Sequence, residues 1–145
     1  SKRKRQHTIM AQPHISIWLD GSGRRHYAPR EKLVGGYRIE QVERDNLRAV
    51  EISVLWHTDG KGDEDLAVHD FRRRSLNKGD WINPGQPDIF ETILPATPLS
   101  YSGIILKIIW CVRVRIFLKG GREFVEELPF ILGDVPDVRK CRKEG

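Results

Sequence analysis

The sequence predicts an all-β fold, an immunoglobulin-like antiparallel β-sandwich of about seven strands. Three observations carry that expectation. The stretch SYSGIILKIIWCVRVRIFLKGG, residues 100–121, alternates its side chains with a period of two. Two adjacent glycines end it and a second alternating run follows, which is the pattern of a hairpin. Upstream, further short runs rich in β-branched and aromatic residues are separated by turn residues, and none has a convincing helical period.

Along the long run, Ile108, Trp110, Val112, Val114, Ile116 and Leu118 stand on one side, and Lys107, Ile109, Cys111, Arg113, Arg115 and Phe117 on the other. A half-buried strand explains this division, because successive side chains point to opposite faces of a sheet. A helix does not: positions 113 and 115 would lie about 200° apart on its wheel and split any apolar face. Val and Ile dominate, and their branched side chains suit a pleated surface. Ile104 to Leu118 also falls short of the ~20 apolar residues of a membrane helix and holds three cations, so no transmembrane segment is expected.

KGGR, residues 119–122, offers two glycines that both tolerate positive φ. The chain is expected to return as EFVEELPFIL, with Phe124, Glu126, Leu128 and Phe130 alternating with Val125, Glu127, Pro129 and Ile131. Pro129 has no donor for a ladder, which puts the end of this strand at an edge or a bulge. The other strands are HISIWLD (14–20), LVGGYRIE (33–40), RAVEISVLWH (48–57) and DIFETILP (88–95). In the third of these, Val50, Ile52, Val54 and Trp56 oppose Glu51, Ser53, Leu55 and His57. DLAVHDFRRR (65–74) fits neither period well and is read as a strand.

Length limits this set to one domain, since 145 residues supply one core and are too few for two ordinary domains. Hydrophobic residues at 39% and four Trp describe a folded chain rather than a disordered one. The formal charge of +5 is unevenly spread: the first seven residues carry four cations and the last seven carry four cations and one acid, leaving −2 between them. The basic ends, 1–12 and 134–145, therefore read as flexible tails on a sandwich domain spanning 13–133. A specific nucleic-acid binder carries its cations on a folded face, so none is expected here. An electrostatic arm for polynucleotide or an anionic membrane is the alternative that the tails leave open. Cys111 lies in the apolar run and Cys141 in a charged tail, a poor disulfide framework that favours a reducing, cytoplasmic setting. SKRKR is followed by polar HT, unlike a secretory signal.

Three stretches resemble the arrestin family. In HYAPREKLVGGYRIE (26–40), Tyr27, Pro29, Glu31, Val34 and Gly35/Gly36 are similar to the family's Y-x-P-G-E-x-V-x-G pattern. In LPATPLSYSGIILKIIWCVRVRI (94–116), Leu94-Pro95, Pro98, Ser100-Tyr101, Gly103, Ile108, Trp110 and Val112 resemble the Leu-Pro and Ser-aromatic pairs that precede a long I-x-Y-x-V strand. HISIWLD resembles the opening strand. The likeness implies a single arrestin-type sandwich acting as a non-enzymatic scaffold or adaptor that meets proteins through strand edges and loops. Two departures stand out. Arg30 replaces the family's glycine, so Pro29 is expected to lead a type I turn rather than a glycine-requiring type II. Arrestins also join two sandwiches where only one fits here, and no Pro-Pro-x-Tyr element is present.

No residues announce catalysis: G-x-S-x-G, a glycine-rich phosphate loop, paired carboxylates and a cysteine beside a base are all missing from the sequence. Cys111 is expected to pack as a small hydrophobe. WHTDGKGDED (56–65) brings Asp59, Asp63, Glu64 and Asp65 around two glycines, and such oxygens suit calcium. A calcium-dependent module is thus a second alternative. The spacing matches no twelve-residue calcium loop and lacks a closing bidentate glutamate, so a solvated turn is expected, with no metal or cofactor. His57 and His69 flank the turn without zinc-site spacing and read as structural.

The binding candidates are two cationic groups. Lys107, Arg113 and Arg115 share one side of the long strand, and Arg72, Arg73 and Arg74 form a cluster. Brought together, arginines grip phosphate or carboxylate groups bidentately. The favoured alternative is that Glu126 and Glu127 neutralise the strand's arginines as cross-strand pairs. Ile109 and Phe117 interleave with those arginines, a composition found at interfaces. The expected partner is a protein, with a homodimer through an edge strand as one form of it.

Overall fold

In the computed structural model the described residues are 12–21, 23–62 and 64–133. The expected tails therefore lie outside them except for Gln12, as do Asp63 of the acidic turn and Cys141. The strands are β1 (His14–Leu19), β2 (His26–Tyr27), β3 (Lys32–Glu40), β4 (Leu47–Gly60), β5 (Leu66–Ser75), β6 (Asp88–Ile93), β7 (Tyr101–Ser102), β8 (Leu106–Leu118) and β9 (Glu123–Leu132). They form two stacked sheets. One runs β1-β3-β6; the other runs β2-β9-β8-β4-β5, with β7 added along β8. All β8 pairings are antiparallel, and β2 joins β9 in parallel.

The period-two reading of the long run is met. Trp110, Val112, Val114, Ile116 and Leu118 of β8 enter the core with Val50, Ile52 and Val54 of β4. From the facing sheet come Ile15, Leu19, Leu33, Tyr37, Ile39 and Phe90. The arginines of β8 stay outside, so the core holds no cation from this strand. Burial of this many apolar side chains, each worth about 1.5–3 kcal/mol, drives the two sheets together.

Two adjacent glycines in β3 admit close neighbours, Gly35 on the core side and Gly36 on the outer side. A Cβ on Gly35 would stand 2.6 Å from the Trp18 carbonyl oxygen and 2.7 Å from the Phe90 ring. A Cβ on Gly36 would stand 2.6 Å from the Trp18 indole. The pair sits inside a strand because backbone and rings must come near it, not because a turn is needed.

At the β8–β9 hairpin, Gly120 and Gly121 take φ of 82° and 81°, and Leu118 N–H donates to the Arg122 carbonyl at 2.8 Å. Pro129 faces the open side of β9, since β2 pairs only with Ile131 and Leu132 beyond it. The edge expected from Pro129 is present. β5 is a strand, and its broken period has a cause: Val54 pairs with Asp70 and Leu55 with Val68, leaving His69 as an extra residue in a bulge.

One expectation is corrected. The turn at 28–31 is type II, not type I: Glu31 N–H donates to the Ala28 carbonyl at 3.1 Å, and Arg30 takes φ of 68°. A left-handed non-glycine residue costs roughly 1–2 kcal/mol. Its neighbour compensates. The Glu31 carboxylate accepts the Ala28 N–H at 2.9 Å and pairs with the Arg24 guanidinium. The Arg24 guanidinium, and after it the Ala28 N–H, hold the Glu31 carboxyl below its ordinary range.

Candidate functional site

β5 alternation divides the arginine cluster. Arg72 and Arg74 lie opposite core-facing Ile52 and Val50, so at this sheet edge they reach across to β6. Arg72 Nη2 donates to the Glu91 carbonyl, and Arg74 pairs with Asp88 at 2.9 Å. The bulged His69 places Nε2 2.7 Å from the Ile93 carbonyl oxygen. Asp88 also accepts the Tyr37 hydroxyl at 2.8 Å. Burial, with that carboxylate beside it, pushes the Tyr37 hydroxyl above its ordinary range. Together these contacts stitch the seam between the sheets and occupy β6 carbonyls that a second chain would need for edge pairing.

Arg73 points to the opposite face of β5, pairs with Glu51 and stacks 5.1 Å from the Phe117 ring centroid. It shares that outer face with Arg113 and Arg115. Arg113 pairs with Glu127 at 2.6 Å, and Arg115 approaches Glu123 at 3.8 Å. Glu127 thus acts as the cross-strand partner expected from the sequence. Glu126 does not, because it lies opposite core-facing Val114. A depression of about 170 Å³ on this face is lined by Arg113 and Arg115, by Glu51, and by Val68 and Phe71. An anion entering it would meet the Glu51 carboxylate as well as the guanidinium groups. Cys111 on the same face is buried between Leu55 and Pro129, and burial pushes its thiol up to about 12.

Of the six cations singled out from the sequence, the structure brings Arg73, Arg113 and Arg115 to the outer face and sets Arg72 and Arg74 apart from them at the seam. Lys107 lies at the far end of β8, in a different setting. There β7 and β9 run end to end along the same edge of β8: Tyr101 pairs with Ile108, and Phe130 with Trp110. Where they part, a groove of about 700 Å³ opens, lined by Leu99, Tyr101, Ile109 and Ile131 and by the cations Arg25 and Lys107.

The walls are held by residues of the 94–116 stretch. Ser100 N–H donates to the Leu132 carbonyl at 2.7 Å, and Leu132 N–H returns a bond to Ser100 Oγ at 2.8 Å. The buried Trp110 indole donates to the Pro98 carbonyl at 2.8 Å, and Leu94 N–H donates to the Glu31 carbonyl at 2.9 Å. Beyond the groove, the β7–β8 turn exposes Ile104 fully and Ile105 largely. Ile105 lies against the acidic turn, its carbonyl 3.4 Å from the Lys61 nitrogen. No acidic side chain lines the groove, and among the described residues neither Arg25 nor Lys107 has an ion-pair partner. The Arg25 guanidinium donates to the Pro129 carbonyl at 3.4 Å, and the Arg25 carbonyl accepts the Ile131 N–H at 2.7 Å.

Sequence reasoning singled out Lys107 here and missed Arg25, Leu99, Tyr101 and Ile131. The signal available was the pair Ile104-Ile105, apolar residues placed directly after a turn glycine. Among the described residues no group of three His, Cys, Asp or Glu side chains is placed to hold a metal ion. No helix among them is long and apolar enough to cross a membrane.

No protein-family model and no curated protein matches the chain. Among solved structures, the sporulation control protein Spo0M of Bacillus subtilis is similar, with a TM-score of 0.60 and 16% identity over 90% of this chain and 53% of that one. This chain thus spans about half the length of Spo0M. The likeness shows an arrestin-like fold.

Proposed function

We propose that this domain is a non-enzymatic, cytoplasmic protein-interaction module, a scaffold or adaptor of the arrestin-like type. The observation that carries the reading is the groove between β7 and β9, continuous with the exposed Ile104-Ile105 turn. Leu99, Tyr101, Ile104, Ile105, Leu106 and Ile131 are all exposed large hydrophobic residues from this one end of the sandwich. Contiguous apolar surface of that kind marks interaction sites on soluble domains. Its lining offers no activated nucleophile, base or metal set, and the hydroxyls of Ser100 and Tyr101 suit hydrogen bonding to a partner.

Affinity capture tests the reading, with the native chain and an Ile104→Ser/Ile105→Ser variant compared side by side. Both substitutions are at solvent-facing positions and should leave folding intact. A reproducible protein partner retained by the native chain and reduced at least about tenfold by the variant supports the module, a loss of roughly 1.4 kcal/mol in binding. An identical set of captured proteins from both chains would remove the turn from the site.

A further inference from the structure

We infer that the groove between β7 and β9 takes an extended peptide segment of another protein in which acidic residues are spaced by aliphatic ones. The inference rests on the interaction-module reading above and specifies the chemistry of its partner. Two charged side chains line the groove, Arg25 and Lys107, and both are cationic. On the outer face of the large sheet, by contrast, Arg73, Arg113 and Arg115 each approach a glutamate of this chain. Arg25 and Lys107 make no ion pair with the described residues, and although Asp59 stands opposite Lys107 on β4 it does not engage it, so both cations are left to meet a partner's carboxylate.

The rest of the lining is largely apolar, with the aliphatic Leu99, Ile108, Ile109 and Ile131 and the aromatic Tyr101 and Phe130. An occupant must therefore carry apolar side chains among its acids. The openness of the surface speaks for a peptide rather than a small molecule, because the exposed apolar residues continue out of the groove to Ile104 and Ile105. A small ligand is typically enclosed over most of its surface, whereas a chain segment can cover both groove and turn. An anionic membrane is the less favoured partner. A flat membrane lying on the apolar turn would press its anionic headgroups against Asp59 at the end of β4 and Glu64 and Asp65 beside it, whereas a segment can set aliphatic residues on the turn and keep its acids in the groove.

The test is a titration of the ¹⁵N-labelled full chain, followed by NMR, with three acetylated and amidated heptapeptides: DVLDVLD, its neutral counterpart NVLNVLN and its basic counterpart KVLKVLK. The expected result is saturable shifts for DVLDVLD at residues 99–102, 107–109 and 130–133, with affinity reduced at least about tenfold for the other two peptides and for the Arg25→Gln/Lys107→Gln variant. Equal binding of DVLDVLD and NVLNVLN in the groove would overturn the acidic chemistry while leaving the interaction module standing. Absence of groove shifts with all three peptides would overturn both. Shifts of the same residues that grow with protein concentration alone would overturn the inference in favour of a second copy of this chain. Retention on phosphatidylglycerol vesicles that is lost in the same double variant would overturn it in favour of a membrane surface.

Discussion

The outer face of the large sheet and the groove at the end of β8 draw cations from the same strand, yet they treat them differently. On the face, β4 and β9 flank β8 and β5 lies beyond β4, so each arginine finds a glutamate on an adjacent strand, directly opposite or on the diagonal: Arg73 with Glu51, Arg113 with Glu127, Arg115 with Glu123. At the groove, β9 has left β8 to pair with β2, and the space beside Lys107 is filled by the two residues of β7. Neither of those residues is acidic, and Asp59, opposite Lys107 on β4, makes no ion pair with it. The lesson is that a cationic stripe read along one strand says little until its neighbours are known. Where β9 runs alongside, its glutamates take up the charge of β8; where β9 gives way to β7, no such acid follows.

The largest effect belongs to the residue that joins the two regions. Trp110 is buried on the core side of β8, and its indole holds Pro98, so Trp110→Ala should destabilise the fold by about 3–5 kcal/mol in urea unfolding. Loss of the Pro98 contact should also shift the NMR signals of residues 99–102 while those of 113–117 move less. Uniform shifts in both regions would break the distinction between them.

Next come the glycines of β3. Gly35→Ala sets a Cβ against the Trp18 backbone and the core Phe90 ring and should cost about 1–3 kcal/mol. For Gly36→Ala the nearest obstacle is the Trp18 ring, a side chain on the outer side that can swing away, so its cost should be smaller. Equal costs would show that the ring is as fixed as the backbone.

Cys111 tests whether the cation-bearing face is sealed. Its thiol is raised from 9.0 to about 12 by burial, so the native state keeps its proton where the unfolded chain loses it. The sign follows: this contribution is intact below pH 9 and is lost as pH rises from about 9 towards 12. Cys111→Ala should flatten the fall of unfolding free energy between pH 9 and pH 10.5, by up to about 1.4 kcal/mol per pH unit. Parallel curves for the two proteins would mean that solvent reaches the thiol. The smallest effect is a gain. Arg30→Gly relieves the left-handed residue of the type II turn and should stabilise by about 0.5–1 kcal/mol, after the added freedom of glycine in the unfolded chain is set against it.

The fold was legible because the strong alternation of residues 107–118 and 48–57 fixes which face is buried, independently of what lies opposite. β2 and β7 were not, since two residues hold no period. The turn at Arg30 was misjudged because side-chain preference was weighed without Glu31, whose carboxylate caps the turn and supports the strained residue. The site was only partly legible. Arg113 and Lys107 look alike in sequence, and what separates them is whether β9 or β7 lies alongside. Arg25, Tyr101 and Ile131 come from three separate segments, and only the meeting of β2, β7 and β9 around β8 brings them to one groove.

A single set of binding isotherms tests this account most directly, with the heptapeptide DVLDVLD titrated into the native chain, Arg25→Gln/Lys107→Gln and Arg113→Gln/Arg115→Gln. At least about a tenfold loss of affinity is expected for the first variant and less than about twofold for the second. Loss confined to the second variant would contradict it, moving the binding surface to the outer face of the large sheet and leaving the groove without a role.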